Sequence, residues 1–523
     1  MKWSLILPLL FTITFLIAPI GAQSIANSFF AETGTNAGFY SRVNQKGLDL
    51  LSDYLKDRVN RFMAAGDLNF NISSSISPEI KVALLSQRVL SFDETQFRSK
   101  LESQPGKGLQ WTGKSLNISV STMFTIETNA GELIGTAPLL IENANIDFLL
   151  WTGVNADGHL KTDLVTCKVS GGSGTLQLAA SDIGQLGEEW PQVQEYLNAN
   201  LDQIICPSFH SELVPVVSNR LMNTPLSASL FDQFFINYGL LGPVQFDSDK
   251  ILLKHRGNTF GILRQGRTRL NDFRLPFRAG NLEVEAESGR MVDFLISNYT
   301  LGSLLFWMDQ YRKFDYEISK TAQNNSALAG YLRTDCGKDD ICAGTIFPAL
   351  KEKFAAGSVV IKSHTSSYPR LVLNDGKAII YVDNKIDAYV QQPDRTRRFL
   401  TANMAVEVKY DEPKFLDYVF KAKLRIDKFK LTDVSSTVEG IDANSLEFLV
   451  NALIELVLND EMGEKMKGMA FPIIFDFEQH AVDLVFEKDR LRISADYCYG
   501  TKCQVKTEES KDGNVDYYDQ VTG

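Results

Sequence analysis

The chain has 523 residues and a formal charge of −11, with 44% apolar and 22% charged residues, 36 Gly and 16 Pro. This ordinary globular composition excludes wholesale disorder, a collagenous repeat and a small disulfide-dense scaffold, and the length predicts two to four domains at roughly 150 residues each. A net anion of this size argues against non-specific grip on phosphate backbones, which Lys and Arg supply, so nucleic acid is not expected as a partner.

Residues 1–22 read as a secretory signal peptide: Lys2 is the charged start, Trp3 to Ala18 is nearly all apolar, and Gly21-Ala22 offers small residues for cleavage. The apolar run of about 16 residues falls short of the roughly 20 that span a bilayer. Cleavage is expected, leaving a soluble chain of charge −12 in the extracellular space.

Helix periodicity then runs from Phe39 to Phe62, with Val43, Gly47, Leu50/Leu51, Tyr54/Leu55 and Val59 on one face. Ile118 to Ile126 alternates as a strand, and Leu139 to Trp151 and Asp163 to Ser170 continue the strand character. A second helical stretch spans Glu188 through Cys206 to Leu221, with kinks expected near Pro207 and Pro215. The pattern then repeats. Asn298 to Tyr311 reads as a helix, followed by strands at Phe314 to Ile318, Leu371 to Leu373, Ile379 to Asp383 and Met404 to Tyr410. In Ala422 to Leu431 the alternation slips phase, which predicts a bulge. A helix begins after Asp442 as N-cap, and a closing hairpin runs from Phe475 to Tyr497 around Glu487-Lys-Asp-Arg490. The acidic stretch 504–523 reads as a disordered tail. Helices segregated from many antiparallel strands make an α+β fold.

The mature chain has six cysteines: Cys167, Cys206, Cys336, Cys342, Cys498 and Cys503. Six allow about fifteen connectivities; sequence proximity favours 167–206, 336–342 and 498–503. The first would close a loop of about 40 residues and contribute roughly 4 kcal/mol in the chain-entropy model. Only five His are present and none shows ligand spacing beside a Cys pair, so zinc is not expected. Four sequons, at Asn71, Asn117, Asn298 and Asn324, are candidates for glycosylation.

The helix from Ala443 to Leu458 is apolar over far more than the stripe of about 100° that a surface helix needs. A helix sandwiched between a sheet and another helix explains this, and so does a helix lining a slot for hydrocarbon chains. Periodicity does not separate the two.

Asn36-Ala-Gly-Phe-Tyr-Ser-Arg-Val-Asn-Gln-Lys-Gly-Leu48, Ile236-Asn-Tyr-Gly-Leu240, Arg290-Met-Val-Asp-Phe-Leu-Ile-Ser-Asn-Tyr299 and Phe471-Pro-Ile473 occur in that order. Together they resemble the secreted lipid-binding family of bactericidal/permeability-increasing protein, lipopolysaccharide-binding protein, and the phospholipid and cholesteryl ester transfer proteins. The resemblance covers nearly the whole mature chain. It implies an elongated, boomerang-like molecule of two domains, each a twisted antiparallel barrel-like sheet with two long helices, meeting at a central antiparallel sheet. The division implied is 23–240, a linker with central-sheet strands at 241–280, and 281–503. The resemblance also puts the family's shared disulfide at Cys167 and Cys206, and no cofactor beyond a bound lipid. By position, one lipid slot would use Val43, Leu51, Leu55, Val59, Leu213, Val217 and Leu221. The other would use Leu301, Leu304, Leu305, Met308, Leu446, Leu449, Leu453 and Val457.

Two departures matter. Residues 23–240 carry 14 basic and 22 acidic side chains, whereas family members that disrupt Gram-negative envelopes have a cationic first domain. Lys250 to Arg278 holds eight basic residues against the single acid Asp272, either as solvated faces of central-sheet strands or as a contact for anionic headgroups. No Gly-x-Ser-x-Gly elbow, His-Glu-x-x-His, phosphate-binding loop or dinucleotide fingerprint is present. The expectation is therefore a non-enzymatic carrier of phospholipid-like or lipopolysaccharide-like amphiphiles that meets membrane or lipid-particle surfaces transiently. Its rivals are an innate-immune lipopolysaccharide recogniser and, more remotely, a lipid hydrolase.

Overall fold

The computed structural model describes residues 36–64, 70–231, 234–261, 275–284, 288–320, 326–337, 340–454, 468–471, 477–500 and 503. The signal peptide, the acidic tail, Asn324, Val457 and the stretch 262–274 lie outside them.

The described residues form an α+β structure, mostly strand with several helices. A seven-stranded sheet in the first half orders Asn71–Ser75, Lys81–Phe92, Gly108–Thr128, Gly131–Val154 and Leu160–Ser170, with Arg98–Gln104 and Ser173–Leu176 attached beside them. A second seven-stranded sheet orders Tyr316–Ile318, Ser358–Thr365, Lys377–Gln391, Thr396–Leu416, Val419–Ser436 and Met469–Ala470, with Arg370–Asn374 beside Lys377–Gln391. A third, six-stranded sheet, called central because its strands come from the start, middle and end of the described chain, draws on distant parts of the sequence. Its order is Gln245–Phe246, Lys250–His255, Phe39–Asn44, Val292–Ser297, Arg490–Cys498 and Glu478–Glu487. Every one of its pairings is antiparallel.

Long strands fold here because their side chains alternate between a buried and a wet face. In Gly108–Thr128, Ile118, Val120, Thr122, Phe124 and Ile126 are buried, and the intervening residues are half-buried or exposed. The phase slip in Val419–Ser436 is a real bulge: Glu407 pairs with Lys428 and Val408 with Ile426, leaving Asp427 as the extra residue. The Asp442 cap is also present, its carboxylate accepting from the Ser445 amide at 2.8 Å to start the helix Ala443–Leu453.

Two helices differ from expectation. The first begins at Gln45, and Phe39–Asn44 is a strand of the central sheet. Both faces of that strand are covered, so no polar alternation marks it as one. The second stretch is a chain of segments, Trp190–Ala199, Leu201–Ser208 and Val214–Met222, with a π-helical turn at Phe209–Leu213. Pro207 lacks the N–H that would continue the ladder, and the wider turn follows directly. The three proximity pairings all form: Cys167–Cys206, Cys336–Cys342 and Cys498–Cys503.

The central sheet is riveted by a buried ion pair. Arg42 and Asp293 are both fully buried, and Arg42 Nη2 and Nε donate to Asp293 Oδ2 at 2.6 and 2.9 Å. Asn44 Nδ2 donates to the same oxygen at 2.7 Å, and Ser494 Oγ donates to Oδ1 at 2.5 Å. Burial pushes the Asp293 carboxyl up, but hydrogen bonds from Ser288, Ser494, Asn44 and Arg42 outweigh it and hold it below the ordinary carboxylate range.

His255 lies on the neighbouring strand of the same sheet, its Nδ1 2.7 Å from the Tyr238 carbonyl and its Nε2 2.9 Å from Ser41 Oγ. Burial pushes its imidazole from 6.5 down to about 4, against the raising effect of that carbonyl. Between those two pH values the unfolded chain holds a proton that the folded chain refuses. Stability should therefore fall as pH drops from about 6.5 and level off below about 4, by about 3 kcal/mol in all. Denaturant titrations of wild type and His255→Gln across this range check it: the substitution should flatten this part of the profile.

Candidate functional site

Each half encloses an apolar interior bounded by helices. In the first, the helix Gln45–Ala64 contributes Val59 and Met63, and the second helical stretch contributes Val193, Leu197, Leu201, Ile204, Ile205 and Phe209, all buried against the sheet. Around that core, Leu51, Leu55, Phe62, Ile72, Val89 and Leu164 are apolar and turned inward yet only partly buried. Part of the interior is filled by aromatic rings: Trp111 stacks on Phe148 at 4.5 Å and meets Phe97 and Phe209 at 5.9 and 6.3 Å. Trp111 is fully buried, and no group among the described residues accepts from its Nε1. A buried indole N–H normally has a partner. Where the helix Leu201–Ser208 meets the edge strand Leu160–Ser170, a groove of about 380 Å³ opens between Leu164–Cys167 and Asp202, Cys206, Pro207 and His210.

In the second half the helix Asn298–Gln310 is buried nearly all round, with its N-cap Ser297 accepting from the Thr300 amide. Leu301, Leu304 and Leu305 join Leu373, Ile380, Val406, Val408 and Phe420 in one buried cluster. Leu446, on the other helix, belongs to a different cluster with Leu332, Phe347, Leu350 and Leu431. Met404 and Phe429 are partly buried and pack against both clusters, so the seam between the two helices runs over them.

The predicted slot residues thus divide. Val43 is on the central-sheet strand, paired with Ile251 and Val292, and packs beside Leu48 and Phe246 rather than on a helix face. Leu51 and Leu55 are half-buried on the first helix, and Val59 is core. Val217 and Leu221 are half-buried, on the segment Val214–Met222 that packs against the edge strand Leu160–Ser170. Leu301, Leu304 and Leu305 are core, Met308 is half-buried, and Leu446 is core. The side chains of Leu213, Leu449 and Leu453 lie outside the described residues, as does Val457. Met404, Phe429 and Trp111 are not singled out by the sequence. The first two alternate correctly on their strands, but nothing in a strand pattern marks a residue that borders two cores.

Among the described residues no helix is long and apolar enough to cross a membrane. The one group of potential metal ligands there, Glu478 with Cys498 and Cys503, has both its thiols in a disulfide.

A bactericidal permeability-increasing protein from Rattus norvegicus is 20% identical over 458 residues, covering 84% of this chain and 89% of the relative. The crystal structure of a lipopolysaccharide binding protein superposes with a TM-score of 0.51 at 17% identity, covering 89% of this chain and 99% of that one. The family model for the C-terminal domain of the LBP / BPI / CETP family matches residues 228–499, just over half of the sequence. The chain belongs to the LBP / BPI / CETP family.

Proposed function

We propose that the protein is a secreted lipid carrier that holds the acyl chains of phospholipid-like amphiphiles in an apolar slot in each half, without chemistry. The division at 23–240, 241–280 and 281–503 and the elongated boomerang outline belong to this reading. The observation that carries it is the band of inward-turned but incompletely buried apolar side chains in both halves: Leu51, Leu55, Phe62, Ile72 and Leu164 in one, Met308, Met404 and Phe429 in the other. Interiors close-packed by their own side chains leave few such groups part-exposed. A hydrocarbon guest completes the packing, at about 0.8 kcal/mol per CH₂ taken from water. The Trp111 Nε1–H, which no group among the described residues accepts, fits an ester carbonyl of such a guest, and the groove beside Cys167–Cys206 serves as a mouth. Family membership and disulfide use support a non-enzymatic, extracellular protein.

The names of the relatives favour a second reading, recognition of lipopolysaccharide. Attraction to anionic envelopes needs clustered Lys and Arg, and residues 23–240, with 14 basic against 22 acidic side chains, do not supply the excess. A lipopolysaccharide pull-down that weakens steeply with salt would favour the second reading.

The test is solvent extraction of the protein purified from a secreting host, followed by mass spectrometry of what co-purifies. Intact two-tailed lipid is expected; hydrolysed lipid would point to the hydrolase, and none at all would refute the carrier. Leu453→Asp, on the helix Ala443–Leu453, should then remove one lipid equivalent while the first-half lipid stays. Unchanged stoichiometry would take that helix out of the slot.

A further inference from the structure

Asn71 opens the short strand Asn71–Ser75, the terminal strand of the first-half sheet, which among the described residues pairs with Lys81–Phe92 alone. Ile72 on this strand points into the core, so Asn71, Ser73 and Ser75 point outward. Asn71 pairs with Leu85, Leu85 with Met123 and Met123 with Thr136, all on that outer face, while Ile134 pairs with Thr125 two residues along. Leu85, Met123 and Ile134 are 39%, 40% and 62% exposed. Three large apolar side chains therefore make an outward patch bordered by Asn71, beside a terminal strand that no second strand pairs among the described residues. Both features invite self-association.

The sequons are not equivalent in the folded protein. Asn117 is engaged at both ends of its amide: its Oδ1 accepts from the Asn143 backbone at 2.8 Å and its Nδ2 donates to the Ser115 carbonyl at 3.4 Å. Asn298 Nδ2 donates to Asp489 at 3.2 Å, and Thr300 of the same triplet is buried, its hydroxyl donating to the Gly38 carbonyl at 2.7 Å. The Asn71 side chain is exposed, and no hydrogen bond engages it among the described residues.

We infer that Asn71 carries an N-linked glycan whose first sugars lie over Leu85 and Met123 and cover that terminal strand. Transfer forms a bond between Asn71 Nδ2 and the anomeric carbon of a polyprenyl-diphosphate-linked oligosaccharide. It breaks that carbon's bond to the phosphate oxygen and releases polyprenyl diphosphate and one amide proton. Met123 is two strands from Asn71, roughly 10 Å at about 4.8 Å per strand, within reach of the first two or three rings. Pyranose rings present C–H faces to such a patch and hydroxyls to water, so the modification removes apolar exposure while adding solubility.

Peptide mapping of protein secreted from a eukaryotic host should find Asn71 occupied. Limited peroxide oxidation then reads coverage directly. Met123 should oxidise several-fold faster in Ser73→Ala and Asn71→Gln than in the glycosylated protein, while Met222, 42% exposed on the helix Val214–Met222 that packs against Leu160–Ser170, keeps its rate. Light scattering should show the two variants self-associating at concentrations where wild type does not. A bare Asn71 in the wild type, or equal Met123 oxidation with and without the sequon, overturns the inference. A change in the Met222 rate identifies a misfolded variant, in which case enzymatic deglycosylation of folded wild type supplies the same comparison.

Discussion

Asp293→Ala should destabilise the protein by about 3–5 kcal/mol, the usual consequence of breaking a buried ion pair by removing one partner. Arg42 would remain buried beside the Val284 carbonyl but would lose the carboxylate that takes its Nε and Nη2 hydrogen bonds. The Asn44 amide and the Ser494 hydroxyl would lose their shared acceptor as well. The size of the effect follows from topology. Arg42 is on Phe39–Asn44, Asp293 on Val292–Ser297 and Ser494 on Arg490–Cys498, so one carboxylate ties together the start, the middle and the end of the chain. The double variant Arg42→Met/Asp293→Leu should recover much of the loss, because an apolar pair leaves no charge stranded. Chemical denaturation of the three proteins checks this; a single variant as stable as wild type would show that the pair is not a rivet.

Loss of the Cys167–Cys206 disulfide should be comparable, about 4 kcal/mol for a loop of 39 residues in the chain-entropy model. Its effect on binding should be more local. The bond pins the helix Leu201–Ser208 to the edge strand Leu160–Ser170, at the groove proposed as the mouth of the first slot. Cys167→Ser/Cys206→Ser should release lipid from the first half and leave the second filled. Tm and lipid content measured on the same samples separate the two consequences: a large Tm loss with both lipids retained would place the mouth elsewhere.

Much of this architecture is legible in the residues, for identifiable reasons. Half-wet strands such as Gly108–Thr128 alternate, and even the bulge at Asp427 shows as a phase slip. The Asp442 cap is legible because a carboxylate stands immediately before an apolar helical run. What fails is whatever is buried on every side. Phe39–Asn44 lies between two strands with both faces covered, so Phe39, Val43 and Gly47 mimic a helix stripe that the structure splits between strand and helix. The same limit applies to the slots. The family resemblance groups Leu301, Leu304 and Leu305 with Leu446 by position, and in the structure they belong to separate clusters that both border Met404 and Phe429. Apolar periodicity records that a face avoids water and is silent on whether protein or guest covers it.

The most direct test counts guests per chain. Native mass spectrometry of gently desorbed protein should show a species heavier than the glycosylated polypeptide by two diacyl lipids, collapsing to one in Leu453→Asp. A wild-type mass equal to the glycosylated polypeptide alone, from protein never exposed to detergent, would contradict the carrier and leave both interiors as ordinary cores.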